Sequence, residues 1–309
     1  MKKIGLATAV LLAMTGAHAY QVEVQGQSEY LQSKGYDSTY TGDGQAKFYF
    51  KDVDASKGPL AEAAFLNKAS NVQLGYHFDR QKDFADRSSS EKTQSYGAKA
   101  EGYYATSYVP MPIYGSVSYS HTDVTDKETG YKDKDRGDRY ALEVGAMPAD
   151  NFLLAVGYTN VTNGASLDNF KAFNSGILNA RNEGNTANAR YKTDAVTGRA
   201  KYVGAIDNTN MAIGFEVDSI FLRGSAAYGL ATDLYLTPKL SVGATYADTS
   251  AFKSGTDHIW GGNVNYFITP ALSVGATFTK TNAKEYREGD ATFAPQDAQT
   301  IGMNARVRF

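Results

Sequence analysis

The closing stretch Thr300-Ile-Gly-Met-Asn-Ala-Arg-Val-Arg-Phe309 decides the fold class, because apolar and polar residues alternate through it to the last position. The apolar set is Ile301, Met303, Ala305, Val307 and Phe309, and the other set is Gly302, Asn304, Arg306 and Arg308. Successive side chains of a strand point to opposite faces, so one face suits lipid and the other suits water. The stretch predicts a membrane-embedded β-strand.

The same period of two recurs along the chain, beginning at Tyr20–Gly26. Further predicted strands are Gly44–Phe50, Asn71–Arg80, Gln94–Tyr104, Ile113–His121, Arg139–Met147, Phe152–Val161, Val196–Ile206, Met211–Ser219, Ala227–Leu236, Leu240–Thr249, His258–Ile268 and Leu272–Lys280. With the two terminal strands the count is about 14, and bacterial outer-membrane barrels have even strand numbers with both ends in the periplasm. We therefore predict an all-β, transmembrane antiparallel β-barrel with periplasmic N- and C-termini.

Composition excludes several other classes. The 309 residues include 31 basic and 33 acidic side chains, a formal charge of -2, which argues against a nucleic-acid partner. No cysteine is present, so disulfides, thiol catalysis and thiolate metal sites are excluded. Mean hydropathy is -0.41, and beyond the N-terminus no apolar run approaches the roughly 18 residues of a transmembrane helix.

The N-terminus has the order of features found in a secretory signal peptide. Lys2 and Lys3 precede an apolar stretch, and Ala17 and Ala19 occupy the two positions that a signal peptidase reads. We expect cleavage after Ala19, with residues 1–19 removed and residues 20–309 forming the barrel. The protein is then exported to the outer membrane of a Gram-negative bacterium.

The connections between the predicted strands fall into two classes. The tight turns are Ala149–Asn151, Asp207–Asn210, Thr237–Lys239 and Thr269–Ala271, and the long polar connections are Thr125–Arg136, Gly164–Tyr191 and Glu285–Gln296. Short turns belong in the periplasm and long loops outside the cell. Ala55–Ala69 is long although we expect it on the periplasmic side, and Pro59 followed by good helix formers predicts a short helix there.

A closed barrel encloses a lumen, and the parity opposite to the apolar face brings charged residues into it. The predicted pore-lining residues are Glu23, Lys47, Lys99, Glu101, Arg139, Glu143, Arg199, Lys201, Glu216, Asp218, Asp233, Arg306 and Arg308. If Ile206 pairs with Met211, the register places Lys201 opposite Glu216 and Arg199 opposite Asp218. These ion pairs could brace the wall or select solutes, and the sequence leaves both interpretations open.

About 14 strands imply a modest bore that chain segments could close. Two segments have the required length and apolar content, Leu167–Leu178 and Pro59–Leu66. The candidate constriction residues are Phe170, Phe173, Ile177, Leu178, Leu60 and Phe65. The alternative is an external loop that leaves the bore to the barrel wall.

Aromatic residues gather near the predicted strand ends, as in the girdles that mark both membrane interfaces. They are Tyr20, Phe48, Phe50, Tyr76, Phe78, Tyr104, Tyr119, Tyr140, Phe152, Tyr158, Phe215, Tyr246, Trp260, Tyr266 and Phe278. An aromatic slide for sugars is the alternative interpretation. Phe309, a C-terminal aromatic on the lipid face, is similar to the signature read by the barrel-assembly machinery.

The sequence offers no catalytic constellation. His77, His121 and His258 lie in separate predicted hairpins without metal-ligand spacing, and Ser120, His121 and Asp123 are too close in a strand to converge. We predict no enzyme, no metal and no cofactor.

Several stretches carry a family resemblance: the Ala19-Tyr20-Gln21 start, Val53–Leu66, Gly137–Met147, Asn210–Glu216 and Trp260–Pro270. Through them the chain resembles the Acinetobacter water-channel porins, outer-membrane proteins of thirty-three to thirty-six kilodaltons. The resemblance implies a barrel that passes water and small polar solutes and affects antibiotic susceptibility and host-cell contact. The partners it implies are outer-membrane lipid and lipopolysaccharide, the barrel-assembly machinery and host surface proteins.

Two functions therefore stand side by side. The first is a porin giving passive, loop-restricted diffusion of water and small polar solutes. The second is a largely closed barrel that acts as an adhesion or host-interaction protein through its external loops, Gly164–Tyr191 above all.

Overall fold

The structure, a computed structural model, describes residues 19–33, 36–83, 89–128, 131–162, 193–222, 225–248, 256–288, 291–293 and 297–309. Sixteen strands are formed by these residues. They are β1 Ala19–Ser33, β2 Tyr36–Asp54, β3 Asn71–Asp83, β4 Ser90–Thr106, β5 Val109–Glu128, β6 Tyr131–Ala149, β7 Phe152–Thr162, β8 Thr193–Ala205, β9 Ala212–Leu222, β10 Ser225–Thr237, β11 Leu240–Asp248, β12 Thr256–Thr269, β13 Leu272–Ala283, β14 Tyr286–Glu288, β15 Ala291–Phe293 and β16 Ala298–Arg308.

Fourteen of the strands close into one antiparallel barrel. Strands β1 to β13 pair with their chain neighbours, and β16 pairs with β13 on one side and with β1 on the other. Backbone hydrogen bonds between Phe309 and the Gln21–Val22 segment complete the seam. Strands β14 and β15 form a separate two-stranded sheet. The predicted antiparallel barrel and its strand count are confirmed, whereas the periplasmic position of the termini stays a prediction. A closed ladder leaves no unpaired edge in lipid.

The two faces of the barrel wall differ as the sequence predicts. Large apolar side chains such as Leu74, Leu142 and Met303 are exposed on the outer surface, while Gln25, Gln45 and Gln73 are buried inside and hydrogen bond in a row across three strands. Within the described residues, no helix is long and apolar enough to cross a membrane.

One aromatic of the predicted girdles lies on the other face. Tyr20 is inside the barrel, 4% exposed and packed edge-on against Tyr49. The register between β1 and β2 shifts between Tyr20 and Val22. Between the pairs Tyr20–Val53 and Val22–Phe48, one residue of β1 faces four of β2. This irregularity moves Tyr20 to the inner face, so the prediction that Tyr20 faces the membrane interface is wrong.

The predicted loop Thr125–Arg136 is also corrected, because most of it is strand. The ladder between β5 and β6 continues from Ile113 opposite Ala146 to Glu128 opposite Tyr131. Strand β5 has 20 residues, about twice the 9–11 that cross a membrane, so this hairpin extends well past the lipid. The predicted loop Glu285–Gln296 contains β14 and β15.

Candidate functional site: the plug segment and the charged interior

The segment between β2 and β3, residues 55–70, lies across the end of the barrel that carries the tight turns, and we call it the plug segment. It contains a 3-10 turn, Leu60–Glu62, followed by helix α1, Ala63–Leu66. The Leu60 amide donates to the Pro238 carbonyl (2.9 Å) in the β10–β11 turn, on a distant part of the wall. Lys68 forms a 2.8 Å ion pair with Asp150 in the β6–β7 turn. The short helix predicted within Ala55–Ala69 is confirmed.

Local sequence dictates the shape of the plug segment. Gly58 has φ +76°, in the left-handed region that favours glycine, and a Cβ added there would lie 2.7 Å from Cδ1 of Leu66. Pro59 then has φ -63°, which suits entry into a helical turn. The Asn67 side chain donates to the carbonyls of Ala63 and Asp54, which caps the helix and ties it to the end of β2.

Apolar residues anchor the plug segment to the inside of the barrel in two clusters. In one cluster, Leu60 and Ala63 pack with Tyr20, Tyr49 and Phe267. The other places Phe65 with wall residues, and its members are Phe65, Tyr114, Met147, Leu153, Ala155, Val203 and Tyr235. Of the candidate constriction residues, Leu60 and Phe65 are therefore buried against the wall at this end. Phe170, Phe173, Ile177 and Leu178 lie outside the described residues.

Glu62 is the charged contact of the plug segment with the wall. Its carboxylate lies 2.9 Å from the Lys201 ammonium and accepts a 2.8 Å hydrogen bond from the Tyr235 hydroxyl. Burial raises the pKa of Glu62, but the attraction of Lys201 and these hydrogen bonds outweigh it and hold the pKa below its usual range. The Lys201 ammonium also approaches Glu216 at 3.6 Å and lies 5.1 Å from the centre of the Phe65 ring.

Arg199 forms the next layer of the interior. Its guanidinium makes two hydrogen bonds to the Glu143 carboxylate (3.1 and 3.0 Å) and one to the Tyr114 hydroxyl (2.7 Å), and it lies 4.0 Å from Glu216. The Tyr114 hydroxyl donates in turn to Glu101 (2.8 Å). Strands β4, β5, β6, β8 and β9 are thus linked through side chains inside the barrel.

A third group surrounds Glu23 on the opposite wall. Arg308 donates to Glu23 (2.8 Å) and to the Leu60 carbonyl (2.9 Å), and its guanidinium lies over the rings of Tyr20 and Phe267. Arg308 is therefore enclosed by the plug segment rather than open to the lumen. Arg306 and Lys47 each lie 3.9 Å from the same carboxylate.

The remaining predicted residues can be placed as well. Lys99 pairs with Glu101 at 3.0 Å, and Arg139 donates to Thr159. The predicted register across the Asp207–Asn210 turn is confirmed, since Arg199 lies opposite Asp218 and Lys201 opposite Glu216. Asp233 lines a cavity beside the plug segment. A role for these side chains in lining a conducting path stays a prediction.

Two polar cavities adjoin the inner side of the plug segment. Their volumes are about 100 and 90 Å³, and Ala61, Glu62, Lys201 and Arg306 line both. One water molecule needs a polar cavity of roughly 10–15 Å³, so each of the two cavities can hold several water molecules.

Sequence reasoning missed three members of this site, Glu62, Tyr114 and Tyr235. Parity could have found the two tyrosines, because Tyr235 lies on the same face as Asp233, and Tyr114 on the same face as Ser116. Glu62 gave no such signal, since it follows no strand period.

The histidines contact acids rather than one another, and His121 contacts two, since its Nε2 also lies 3.7 Å from Asp123, although the sequence predicts that these two side chains do not converge. Nδ1 of His77 lies 3.1 Å from Asp43 inside the barrel, and Nδ1 of His121 lies 2.8 Å from Asp138 near the outer rim. Among the residues that the structure describes, no group of three or more His, Cys, Asp or Glu side chains could hold a metal ion.

Residues 1–300 match the family described as "Putative general bacterial porin". The chain is similar to outer membrane protein Omp33 of Acinetobacter baumannii, with 46% identity over 95% of this chain and 100% of that one and a TM-score of 0.65. No curated protein sequence gives a significant match.

More distant structures share the fold alone. A FadL homologue of Pseudomonas aeruginosa aligns at 10% identity over 94% of this chain and 90% of its own, with a TM-score of 0.52. The toluene transporter TodX of Pseudomonas putida aligns at 8% identity over 95% and 91%, with a TM-score of 0.51.

Proposed function

The chain belongs to the family of general bacterial porins in the Gram-negative outer membrane, and from that premise we propose that it is a narrow, passive channel for water and small polar solutes. The plug segment restricts the passage at the end that carries the tight turns. The family favours a channel over an enzyme, and the proposed transport needs no cofactor.

The docking of the plug segment carries this proposal. Its apolar side faces two wall clusters, while Glu62 on its other side meets Lys201 beside two small polar cavities. A passage lined by fixed charges and hydrogen-bonding groups offers water and small ions partners in place of bulk water. Its small cavities disfavour larger solutes.

The proposed orientation places the plug segment, the tight turns and both termini in the periplasm. Outer-membrane barrels have short periplasmic turns and longer external loops, and the extended β5–β6 hairpin lies at the end opposite the plug segment. Residues 1–19 act as the signal peptide, cleaved after Ala19.

The proposed pore-lining set is balanced in sign. Arg308 is enclosed by the plug segment, and the other twelve residues comprise six basic and six acidic side chains, to which Glu62 of the plug segment adds a seventh acid. Balanced fixed charge gives little preference between small cations and anions. The adhesion alternative depends on Gly164–Tyr191, which lies outside the described residues.

Deletion of Pro59–Leu66 tests the proposal. We expect liposomes containing the deletion protein to swell several-fold faster in small sugars, with a larger exclusion size, because the anchors at Leu60, Glu62 and Phe65 are gone. The variant Leu60→Ser/Glu62→Gln, which keeps the chain length, should show the same change to a smaller degree. Heat-modifiable migration verifies that each barrel is folded.

The matched control is Lys57→Ala, which alters an exposed plug residue that forms no hydrogen bond or ion pair with the wall in the described part of the chain. It should swell at the wild-type rate. Wild-type swelling and solute exclusion in both folded plug variants would show that the plug segment does not restrict the passage.

A further inference from the structure

The two polar cavities beside the plug segment differ in the chemistry of their walls. The cavity of about 100 Å³ borders on β11, β12, β13, β16 and β1, and its lining there includes Gln25, Ser241, Asn263, Asn265, Ser273 and Asn304. We call it the amide cavity. The cavity of about 90 Å³ is lined instead by Glu23, Lys47, Lys99, Glu101 and Arg199, and we call it the charged cavity. Uncharged and charged groups are thus sorted between two spaces that meet at the plug segment.

The uncharged wall of the amide cavity is a row across five neighbouring strands. Ser241 on β11 lies opposite Asn265 on β12, and Asn265 lies opposite Gly275 on β13. Gly275 lies opposite Asn304 on β16, which in turn lies opposite Gln27 on β1. Residues directly opposite one another share a face of the sheet, so the whole row faces the lumen without a single charge.

Gly275 gives the amides of this row their positions. A Cβ at Gly275 would collide with Oδ1 of Asn265 and lie 2.8 Å from the side-chain amide of Asn304. The missing side chain lets both amides lie over the glycine, against the wall. The lumen beside them stays open, so the row lines a cavity instead of filling it.

The polar groups of the charged cavity are paired with one another or with the next layer of the wall. Lys99 lies 3.0 Å from Glu101, and Arg199 makes two hydrogen bonds to Glu143. Fixed charges of both signs attract small ions. An uncharged solute, in contrast, has to break such a pair in order to bind there.

The amide cavity presents polar groups that have no partner. Asn265 donates to Asn263 at 3.0 Å. Among the residues that the structure describes, however, none forms a hydrogen bond with the Ser241 or Ser273 hydroxyl or with the Asn304 amide. Both serines are only 4% exposed, and a buried polar group without a partner is unfavourable. A solute that pairs with these three groups is therefore favoured in this cavity.

Uncharged solutes with several hydroxyl groups match these side chains. A serine hydroxyl and a carboxamide each donate and accept, as the hydroxyls of a polyol do. An ion that enters the row loses hydration and gains no opposite charge there. The charged groups at the border of the cavity have partners in the wall or the plug segment, among them Lys201 with Glu62 and Glu216, and Asp233 with Asn263.

We propose that the amide cavity is a binding site for small polyols, through which they pass the plug segment, while small ions pass through the charged cavity. The inference rests on the proposed channel function and names the solute class of one of its two sides. The Ser241 and Ser273 hydroxyls and the Asn304 amide replace water around the hydroxyls of the solute. The plug segment then divides one lumen into two routes of different selectivity.

Filling the amide cavity tests the proposal. Ser241→Leu/Ser273→Leu removes two unpaired hydroxyls and adds apolar volume, so swelling of liposomes in erythritol should slow about fivefold or more, with KCl conductance changed less than about twofold. The matched control is Ser116→Leu/Ser118→Leu. These serines also lie on the inner face of one strand but line neither cavity, so both rates should stay at wild-type values. Heat-modifiable migration verifies that each barrel is folded.

Two further variants separate binding from the width of the passage. Asn304→Leu keeps the size of the side chain and removes the unpaired amide, so the erythritol concentration that half-saturates the flux should rise several-fold. A mere change in width would not move this concentration. Lys47→Met removes one charge of the charged cavity and keeps the length of the side chain. It should move the KCl reversal potential toward cation preference and leave erythritol flux unchanged.

Two outcomes overturn the proposal. An equal loss of erythritol flux and KCl conductance in Ser241→Leu/Ser273→Leu shows one shared passage. Wild-type erythritol flux in that variant and in Asn304→Leu, with both barrels folded, shows that the amide cavity binds no solute in transit. Either outcome leaves the channel function standing. A wild-type barrel that passes neither erythritol nor ions, with or without Pro59–Leu66, would reject the channel function itself.

Discussion

Arg306 and Arg308 lie two residues apart on the same face of β16, but their surroundings give them different roles. Arg306 lines both cavities and donates to Gln25 at 3.0 Å, so its charge acts on the proposed passage. Arg308 is 2% exposed and joins Glu23 to the Leu60 carbonyl, so it fastens the plug segment.

Substituting each arginine singly should separate the two roles. Arg306→Gln should move the reversal potential in a KCl gradient toward cation preference, with conductance changed less than twofold, because one fixed positive charge leaves the passage. Arg308→Gln should instead raise conductance and destabilise the barrel by about 1–3 kcal/mol, because the buried Glu23 carboxylate loses its strongest partner. Identical effects of the two substitutions would contradict this division.

Phe309 has two separable contributions at the seam of the barrel. Its backbone forms hydrogen bonds with Gln21 and Val22, and its ring is exposed on the lipid face. Phe309→Ala keeps the backbone bonds and removes the ring. We expect it to lower the heat-modifiable folded fraction in outer membranes several-fold, Phe309→Tyr to restore that fraction, and both to refold equally in detergent. A normal folded fraction for Phe309→Ala would contradict the proposal that the barrel-assembly machinery reads the Phe309 ring.

Parity explains which residues could be placed from sequence. Side chains such as Glu143, Arg199 and Lys201 were placed on the correct face because a period of two permits only two choices. The prediction for Tyr20 is wrong because an irregularity in the pairing of β1 with β2 moves its side chain to the inner face. The alternation of apolar and polar residues within β1 contains no information about this pairing. The contact between Glu62 and Lys201 joins residues far apart in the chain, so no local pattern could predict it.

At the level of elements, the strands were predictable and their outer ends were not. Inside lipid, each strand must alternate apolar and polar residues, which gives the pattern that marks Phe152–Thr162 and Leu240–Asp248 within a residue. Beyond the lipid both faces meet water, so Tyr131–Arg139 is polar throughout and resembles a loop. The ladder persists there because backbone pairing requires no apolar face.

The plug segment should respond to acid through Glu62. Its pKa is lowered when docked, so the carboxylate stabilises docking fully above its ordinary value of about 4.3, and the contribution is lost as pH falls through the docked pKa. The charged and titratable groups that face it are Lys201 on β8, Asp233 and Tyr235 on β10 and Arg306 on β16.

Conductance should therefore stay constant from about pH 7 to about pH 5 and rise only below about pH 4. Glu62→Gln should already conduct more at neutral pH and lack the acid step, while Tyr235→Phe should keep the step because the ion pair with Lys201 remains. A step of equal size in Glu62→Gln would assign it to other carboxylates, such as Asp233.

For the whole molecule, the two ends of the barrel are built differently. One end has the tight turns, the start of β1, Phe309 and the plug segment, which is tied to the β6–β7 and β10–β11 turns. The other end has strands that run past the aromatic belt. The strand count and this asymmetry follow from turn and strand patterns in the sequence. The docking of the plug segment across the barrel depends on contacts between residues far apart in the chain, which no local pattern predicts.

This asymmetry gives a direct test of orientation, because the native chain has no cysteine to confuse the labelling. Lys57→Cys lies in the plug segment and Tyr131→Cys begins β6 at the far end, and both side chains are exposed. A bulky impermeant maleimide should label Tyr131→Cys in intact cells and Lys57→Cys only after lysis. Labelling of both after lysis controls for reactivity. The reverse pattern in intact cells would place the plug segment outside and overturn the proposed orientation.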